Sequence, residues 1–444
     1  MQNYITRREA IRAAALGLSI GINDDLFARD EFAAEQDAAT SSHLRDRIYG
    51  LLLGSMIGDA IGGPVEFQNS SKVADLVVVC RNWDDDRQLT DTYLTDFSAS
   101  LCMHSYAECR PKPEPYGQWQ SLAPPGTVTD DTRHKMVLFS ALQHAVEHQQ
   151  FPITAKDLAK AYLKFVKHPA IAGRPEYEKL CAESFHEFWL SARWLLGSRD
   201  LKVAAPPERI WAGIPTCVGQ MTMLPLAAIY AGRPQEAYRA TYRLSFFDVG
   251  IAKDINAAVV AGLSVALQLE KPTDQQSRER AWQSIRDAMR QTDPYRYDKV
   301  PFAARPTTTW LDFSQSAVRD AQKKPKRLYE ILEKKGQVKY YWESHFILAV
   351  VFSTIEFCDY DPLAALALIL DFGHDTDSSA QLLAAFAGAI YGPELFPEKL
   401  QQPVIKQLKL DYDISVNEWT DLLHKLGDLD THDNVVDLSS NSKG

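Results

Sequence analysis

The chain has 444 residues, 45% hydrophobic and 24% charged, which is ordinary globular material long enough for one large domain or two medium ones. A formal net charge of -10 and a pI near 5.6 argue against nucleic acid or an anionic membrane as the main partner. The six cysteines show neither CxxC spacing nor the density of a disulfide scaffold, and no run reaches the roughly eighteen apolar residues of a membrane span.

The N-terminal stretch "TRREAIRAAALGLSIGI" sets Arg7 and Arg8 behind Thr6, a third arginine at Arg12, and then a short apolar run from Ala13 to Ile22. That order resembles a twin-arginine export signal. Residues 1–30 therefore read as a signal segment and the destination as the periplasm; read as an ordinary basic helix start, the same stretch leaves the protein in the cytoplasm. Residues 31–42 read as a polar, Ala-rich linker.

From residue 43 to 426 helical periodicity dominates and strand alternation is scarce, which predicts an all-α catalytic domain followed by a solvated tail over 427–444. The first core helix, "HLRDRIYGLLLGSMIGDAIGGPVEF", carries Gly50, Gly54, Gly58 and Gly62 at four-residue spacing, stacked on one face. Each glycine weakens a helix by about 1 kcal/mol relative to alanine, so four of them predict close approach of another backbone. Ala380, Ala384, Gly388 and Gly392 in "SSAQLLAAFAGAIYG" offer a matching flat face. Between these two lie further helices, including "TRHKMVLFSALQHAVEHQ", "EYEKLCAESFHEFWLSARWLL", "INAAVVAGLSVALQL", "WESHFILAVVFSTIEF" and "PLAALALILDF". The last has a clean start at Asp361-Pro362.

Two acidic clusters open helices: Asp130 and Asp131 in "GTVTDDT", and Asp375 and Asp377 in "GHDTDSSA". Helix capping explains one Asp or Thr per start. It does not explain several, and like charges so close repel unless a proton or cation sits between them. Carboxylate and hydroxyl oxygens without His or Cys select Mg²⁺, Mn²⁺ or Ca²⁺ over zinc. An EF-hand is excluded, because its glycine and glutamate positions hold Ala380 and Phe386.

With "GLLLGSMIGDAIGGPVEF" early, "TDDT" at 129–132 and "DTDSSAQLLAAFAGAIYG" late, in that order, the chain resembles the ADP-ribosylglycohydrolase family. The resemblance spans nearly all of residues 47–392 and implies a single-domain orthogonal helical bundle with two Mg²⁺ (or Mn²⁺) at the base of a cleft. It implies Thr129, Asp130 and Asp131 as one set of metal ligands and Asp375, Asp377 and Ser378 as the other, with Asp377 bridging. Glu66 matches a glutamate that contributes to the site in several members, and Glu66 or Asp131 is the expected base. A metal pair can grip vicinal ribose hydroxyls and activate a water that attacks the anomeric carbon, while carboxylates stabilise oxocarbenium character.

Departures from the family pattern bear on substrate. His374 stands where a glycine is common, and Thr222 in "GQMTMLPLA" stands where an arginine would sit, removing a natural diphosphate contact. Asp248, Lys253, Asp254 and Asn256 form a polar cluster ahead of an apolar helix. Tyr106, Tyr116 and Trp119 crowd the loop before the first acidic motif and suit stacking on a purine or sugar. Asp59, His374, Asp254 and Trp119 are accordingly the expected substrate contacts, against the commoner roles of capping and packing.

Three functions follow. The first is a metal-dependent hydrolase of an ADP-ribosyl or related N- or O-glycosidic bond. The second is an exported glycosidase or nucleoside-type hydrolase that keeps the metals but does not use ADP-ribose. The third is a non-catalytic binding protein on the same scaffold. The expected partner is a small glycoside or an ADP-ribosylated substrate, with no nucleic acid and no stable membrane insertion; oligomeric state is not legible. Replacing both Arg7 and Arg8 with lysine is expected to trap the protein in the cytoplasm, measured by cell fractionation, and normal export of that variant would refute the signal.

Overall fold

The computed structural model describes residues 24–67, 87–109, 123–292, 305–336 and 338–440. Among them there is no β-strand, only an isolated bridge between Thr216 and Glu343. The chain divides at Leu44 into an N-terminal unit and a large helical body from Arg45 onward. Its helices include α1 (Asp24–Gly62), α2 (Asp130–Glu147), α3 (Pro175–Leu195), α4 (Val218–Thr222), α5 (Ile251–Ala266), α6 (Ser344–Phe357), α7 (Pro362–Phe372) and α8 (Thr376–Tyr391).

The centre of the body is α8, all sixteen of whose residues are buried. Helices α5 and α6 are nearly as deeply placed. Beyond their first turns their sequences are largely apolar on every side, as suits a helix with little or no solvent face.

Helix α1 crosses α8 along the two small-residue stripes. A Cβ built on Gly50 would strike the Gly388 backbone, one on Gly54 the Ala384 carbonyl, and one on Gly58 the Ala380 carbonyl. On Gly62 it would come within 2.5 Å of the Asp377 Cα. Each step of four residues along α1 thus meets a step of about four back along α8, so the helices run antiparallel in backbone contact over about three turns. Thr376 Oγ1 donates to the Gly62 carbonyl at 2.8 Å and locks the end of the crossing.

The ends of the domain differ from the sequence expectation. Residues 31–42, expected as a linker, are helical within α1, because "EFAAEQDAAT" combines strong helix formers with no glycine or proline to break the run. Helix also continues through the expected tail as far as Ser440. Helices over Pro306–Ala321 and Glu398–Tyr412 were not legible: the first opens on three threonines and the second contains Pro403. The stretch Ser42–Val65 is long and apolar enough to cross a membrane by composition, contrary to expectation, yet 94% of its apolar 18-residue window is buried inside the protein. It is a core helix whose apolarity serves the α8 contact. The expected signal core, Arg7, Arg8 and the run from Ala13 to Ile22, lies outside the described residues.

The crossing leaves no room for a side chain at its centre. Gly54→Leu is expected to destabilise the protein by roughly 3 kcal/mol or more through overpacking. Thermal unfolding measures this, and an unshifted midpoint would reject the contact.

Candidate active site

The α1–α8 crossing delivers the end of α1 to the start of α8. A 3-10 turn over Gly63–Val65 then turns the chain so that Glu66 enters a cleft. Helix α2 starts at the same place. Its first amides find two acceptors: the Thr129 hydroxyl takes Asp131 N–H at 3.2 Å, and Asp59, reaching over from α1, takes Thr129 N–H at 2.8 Å and Thr132 N–H at 3.0 Å. The helix start is therefore capped without Asp130 or Asp131.

The same holds at the second cluster. Asp375 occupies the N-cap position of α8 but makes no capping hydrogen bond with its side chain. Capping thus accounts for Thr129 and Asp59, and leaves Asp130, Asp131 and Asp375 free for another role.

These carboxylates converge. Oxygens of Glu66, Asp375 and Asp377 lie within 4.8 Å of one another, and so do those of Asp130, Asp131 and Asp377. Asp377 belongs to both groups. Asp131 Oδ1 is buried with no hydrogen-bond partner, the state expected of an acceptor shaped for a cation. The donor set is all oxygen, so the residues fit a hard divalent ion.

Electrostatics point the same way. Burial, reinforced by neighbouring carboxylates, holds the Asp131 and Asp377 carboxyls well above the ordinary range. Burial likewise raises Asp59 and Asp375. One buried cation opposes them. Lys135, one turn into α2, donates to the Asp131 carbonyl at 3.1 Å and to Gln381 Oε1. Burial lowers its pKa, and Asp131, Asp59 and Asp377 pull it back up. Sequence reasoning missed Lys135, although its i+4 position after Asp131 was the available signal.

The cleft has a volume of about 590 Å³. Thr129 and Ser378 line it beside the acids, as expected, and Tyr106 lines it from a buried position. Cys217 is buried but not a plain core thiol. It stands in the wall with Sγ 3.7 Å from Asp375 Oδ2 and 3.6 Å from Ser378 Oγ, and burial keeps it protonated. Phe188, Trp211, Phe67 and Trp342 also line the cleft, the last two with exposed rings. These aromatics sit in unremarkable loop and helix contexts and gave no sequence signal. Trp342 is held over the cleft because the Cys217 N–H donates to its carbonyl at 3.0 Å and Ser344 N–H donates to the Pro215 carbonyl at 2.8 Å.

Three expected substrate contacts need correction. Asp59 is fully buried and spends both oxygens on the α2 start, so it positions Asp130 and Asp131 and is not among the residues that line the cleft. The His374 ring turns away, with Nε2 2.9 Å from Glu333 and its face stacked on Tyr341 at 3.7 Å. Its contribution is its backbone: at φ 65° its carbonyl accepts the Phe67 N–H at 2.9 Å, clamping Glu66–Phe67 against the late acidic loop. Asp254 accepts the Tyr238 hydroxyl at 2.7 Å outside the cleft, because the polar cluster splits on the first turn of α5. Asp248 goes inward instead, taking Gly219 N–H at 3.2 Å, with its carboxyl raised to about 6 by burial. Trp119 and Tyr116 lie outside the described residues. Thr222 is buried and donates to the Val218 carbonyl at 3.0 Å.

The ADP-ribosylglycohydrolase family model matches residues 40–431, and the chain belongs to that family. A solved structure titled "ADP-ribosylglycohydrolase-related protein complex" is similar at 17% identity, covering 87% of this chain and 99% of its own, with a TM-score of 0.46. No curated protein matches the sequence.

The charge balance generates a test. In the metal-free fold the raised carboxyls bind more protons than the unfolded chain does, so their contribution to stability falls as pH rises from about 4 toward neutrality. Buried His134 and His345, whose pKa values burial lowers, act in the opposite sense, and a single-site comparison removes them. Metal-free Asp377→Asn is expected to be at least as stable as metal-free wild type at pH 7.5, with the difference shrinking at pH 5. A wild-type advantage that grows with pH would contradict the repulsion.

Proposed function

We propose that the protein is a metal-dependent hydrolase of a glycosidic bond, of the ADP-ribosyl or a related N- or O-glycosidic type. The observation that supports this best is Asp377, whose carboxylate belongs to two separate oxygen clusters, Glu66–Asp375–Asp377 and Asp130–Asp131–Asp377. A carboxylate shared between two cation-sized clusters would suit a pair of Mg²⁺ or Mn²⁺ ions.

The ions, when bound, would hold vicinal sugar hydroxyls and lower the pKa of a water. This chain's own residues do the rest. Asp59 and Thr129 fix the start of α2, so that Asp130 and Asp131 present their oxygens without spending them on caps. Lys135 offsets part of the negative charge from below. Glu66 or Asp131 is the candidate to take the proton of the attacking water; Glu66 lines the cleft, is half-buried and is tied through the Phe67 N–H to the His374 carbonyl. The acidic wall stabilises the positive charge that develops at the anomeric centre. Export through the N-terminal segment remains part of this proposal.

Asp377→Asn is expected to lose metal binding by calorimetry with Mg²⁺ or Mn²⁺ and to lose hydrolysis, while the metal-free protein stays folded. Asn caps a helix almost as well as Asp, so equal metal binding by variant and wild type would return both clusters to ordinary helix starts.

A further inference from the structure

The Glu66 loop and the late acidic loop meet at one carbonyl. The chain passes from α7 to α8 through Gly373 and His374, both at positive φ. In that conformation the His374 carbonyl accepts two N–H groups, from Phe67 at 2.9 Å and from Thr376 at 3.0 Å. One acceptor thus sets the Glu66 loop against the start of α8, where Asp375 and Asp377 stand. A non-glycine residue seldom adopts a positive φ, because its Cβ crowds the backbone, and it stays there only where surrounding contacts hold it.

At His374 the contacts are made by the ring. Its Nε2 lies 2.9 Å from Oε1 of Glu333, on the helix Pro325–Lys335. The ring stacks on Tyr341 at 3.7 Å and meets the Phe372 ring edge to face at 5.0 Å. Tyr341 belongs to a braced segment: Glu343 Oε1 accepts the Lys339 and Tyr340 N–H groups at 2.7 and 2.8 Å, and the Trp342 carbonyl accepts the Cys217 N–H at 3.0 Å. Trp342 in turn meets the Phe67 ring edge to face at 6.3 Å. Consecutive residues of this segment therefore touch both ends of the Phe67–His374 bond. The Asp130–Asp131 side is supported separately, because Asp59 and Thr129 set the start of its helix.

We infer that Glu333 is a positioning residue for the cation site of Glu66, Asp375 and Asp377: through the His374 ring it fixes the His374 carbonyl, and through the Phe67 N–H that carbonyl fixes the Glu66 loop. Glu333 is not among the residues that line the cleft, so it acts at one remove. A His374 ring without its partner would let residue 374 leave the left-handed region, and the carbonyl would swing off the Phe67 N–H with it. Groups that orient metal ligands from outside the ligand set change metal affinity by roughly 10- to 100-fold. The inference rests on the paired-ion reading above and adds that the two ions have separate supports.

The test is calorimetry with Mn²⁺ on the full chain. Wild type is expected to bind two ions. Glu333→Ala is expected to weaken one of the two binding events about tenfold and to leave the other within about twofold. Glu333→Gln keeps an acceptor oxygen for Nε2 and is expected to restore the weakened event. The Glu333 side chain is 32% exposed, so both variants are expected to fold, which the unfolding midpoint of the metal-free protein checks. His374→Gly enters the left-handed region without a ring to hold it there; it is expected to weaken the same event, and adding Glu333→Ala to it to cost nothing more. Three results overturn the inference and leave the paired-ion reading standing: Glu333→Ala binding both ions as wild type does, an equal loss in both events, or a further tenfold loss when Glu333→Ala joins His374→Gly. A wild type that binds fewer than two ions refutes the paired-ion reading, and this inference falls with it.

Discussion

Backbone contact between α1 and α8 is the constraint from which the rest of the site follows. Four glycines on one helix and a stripe of alanines and glycines on the other let the two axes approach until carbonyls of one touch the Cα positions of its partner. A Cβ at any of the four α1 glycines would lie within 2.5 Å of the partner backbone, so a side chain there would force the helices to move apart. At its last step the contact places Gly62 against Thr376 and Asp377, which is how a loop near residue 66 comes to share a metal-sized space with one near residue 377. The intrinsic helix cost of the glycines is offset by burial of α8 on every side.

A second consequence is electrostatic. Bringing these helix starts together concentrates Glu66, Asp130, Asp131, Asp375 and Asp377 in a volume where water is scarce. The fold answers with buried partners: Asp59 satisfies the amides of α2, and Lys135 sits beneath the cluster with its ammonium on Gln381 and the Asp131 carbonyl. The cluster remains under-neutralised, since burial and mutual repulsion together raise Asp131 and Asp377. An under-neutralised buried acid cluster is a poor structural element and a good cation site, which is why its geometry reads as function.

Backbone strain also gathers here. Phe67 and His374 both adopt positive φ and are joined by one hydrogen bond between their main chains. The pair ties the Glu66 loop to the late acidic loop without using either side chain, which leaves the Phe67 ring for the cleft mouth and the His374 ring for Glu333 and Tyr341. Strain of this kind persists only where surrounding packing over-determines it, and here the α1–α8 contact supplies that packing.

The all-α class, the two small-residue stripes and the two acidic clusters were legible in the sequence, because each follows from spacing or local charge along one helix. Periodicity places side chains on a face, and that is a local property. What occupies the space opposite each face is not. The sequence could not show that Asp59 caps α2 from another helix, or that His374 turns its ring outward and acts through its carbonyl. Nor could it show that Cys217 leaves the ordinary core for the cleft wall, or that Glu183, Glu187 and Trp342 complete that wall from distant elements. Those assignments depend on which backbone atoms meet across the fold, and only the closeness of the helix crossing decided them.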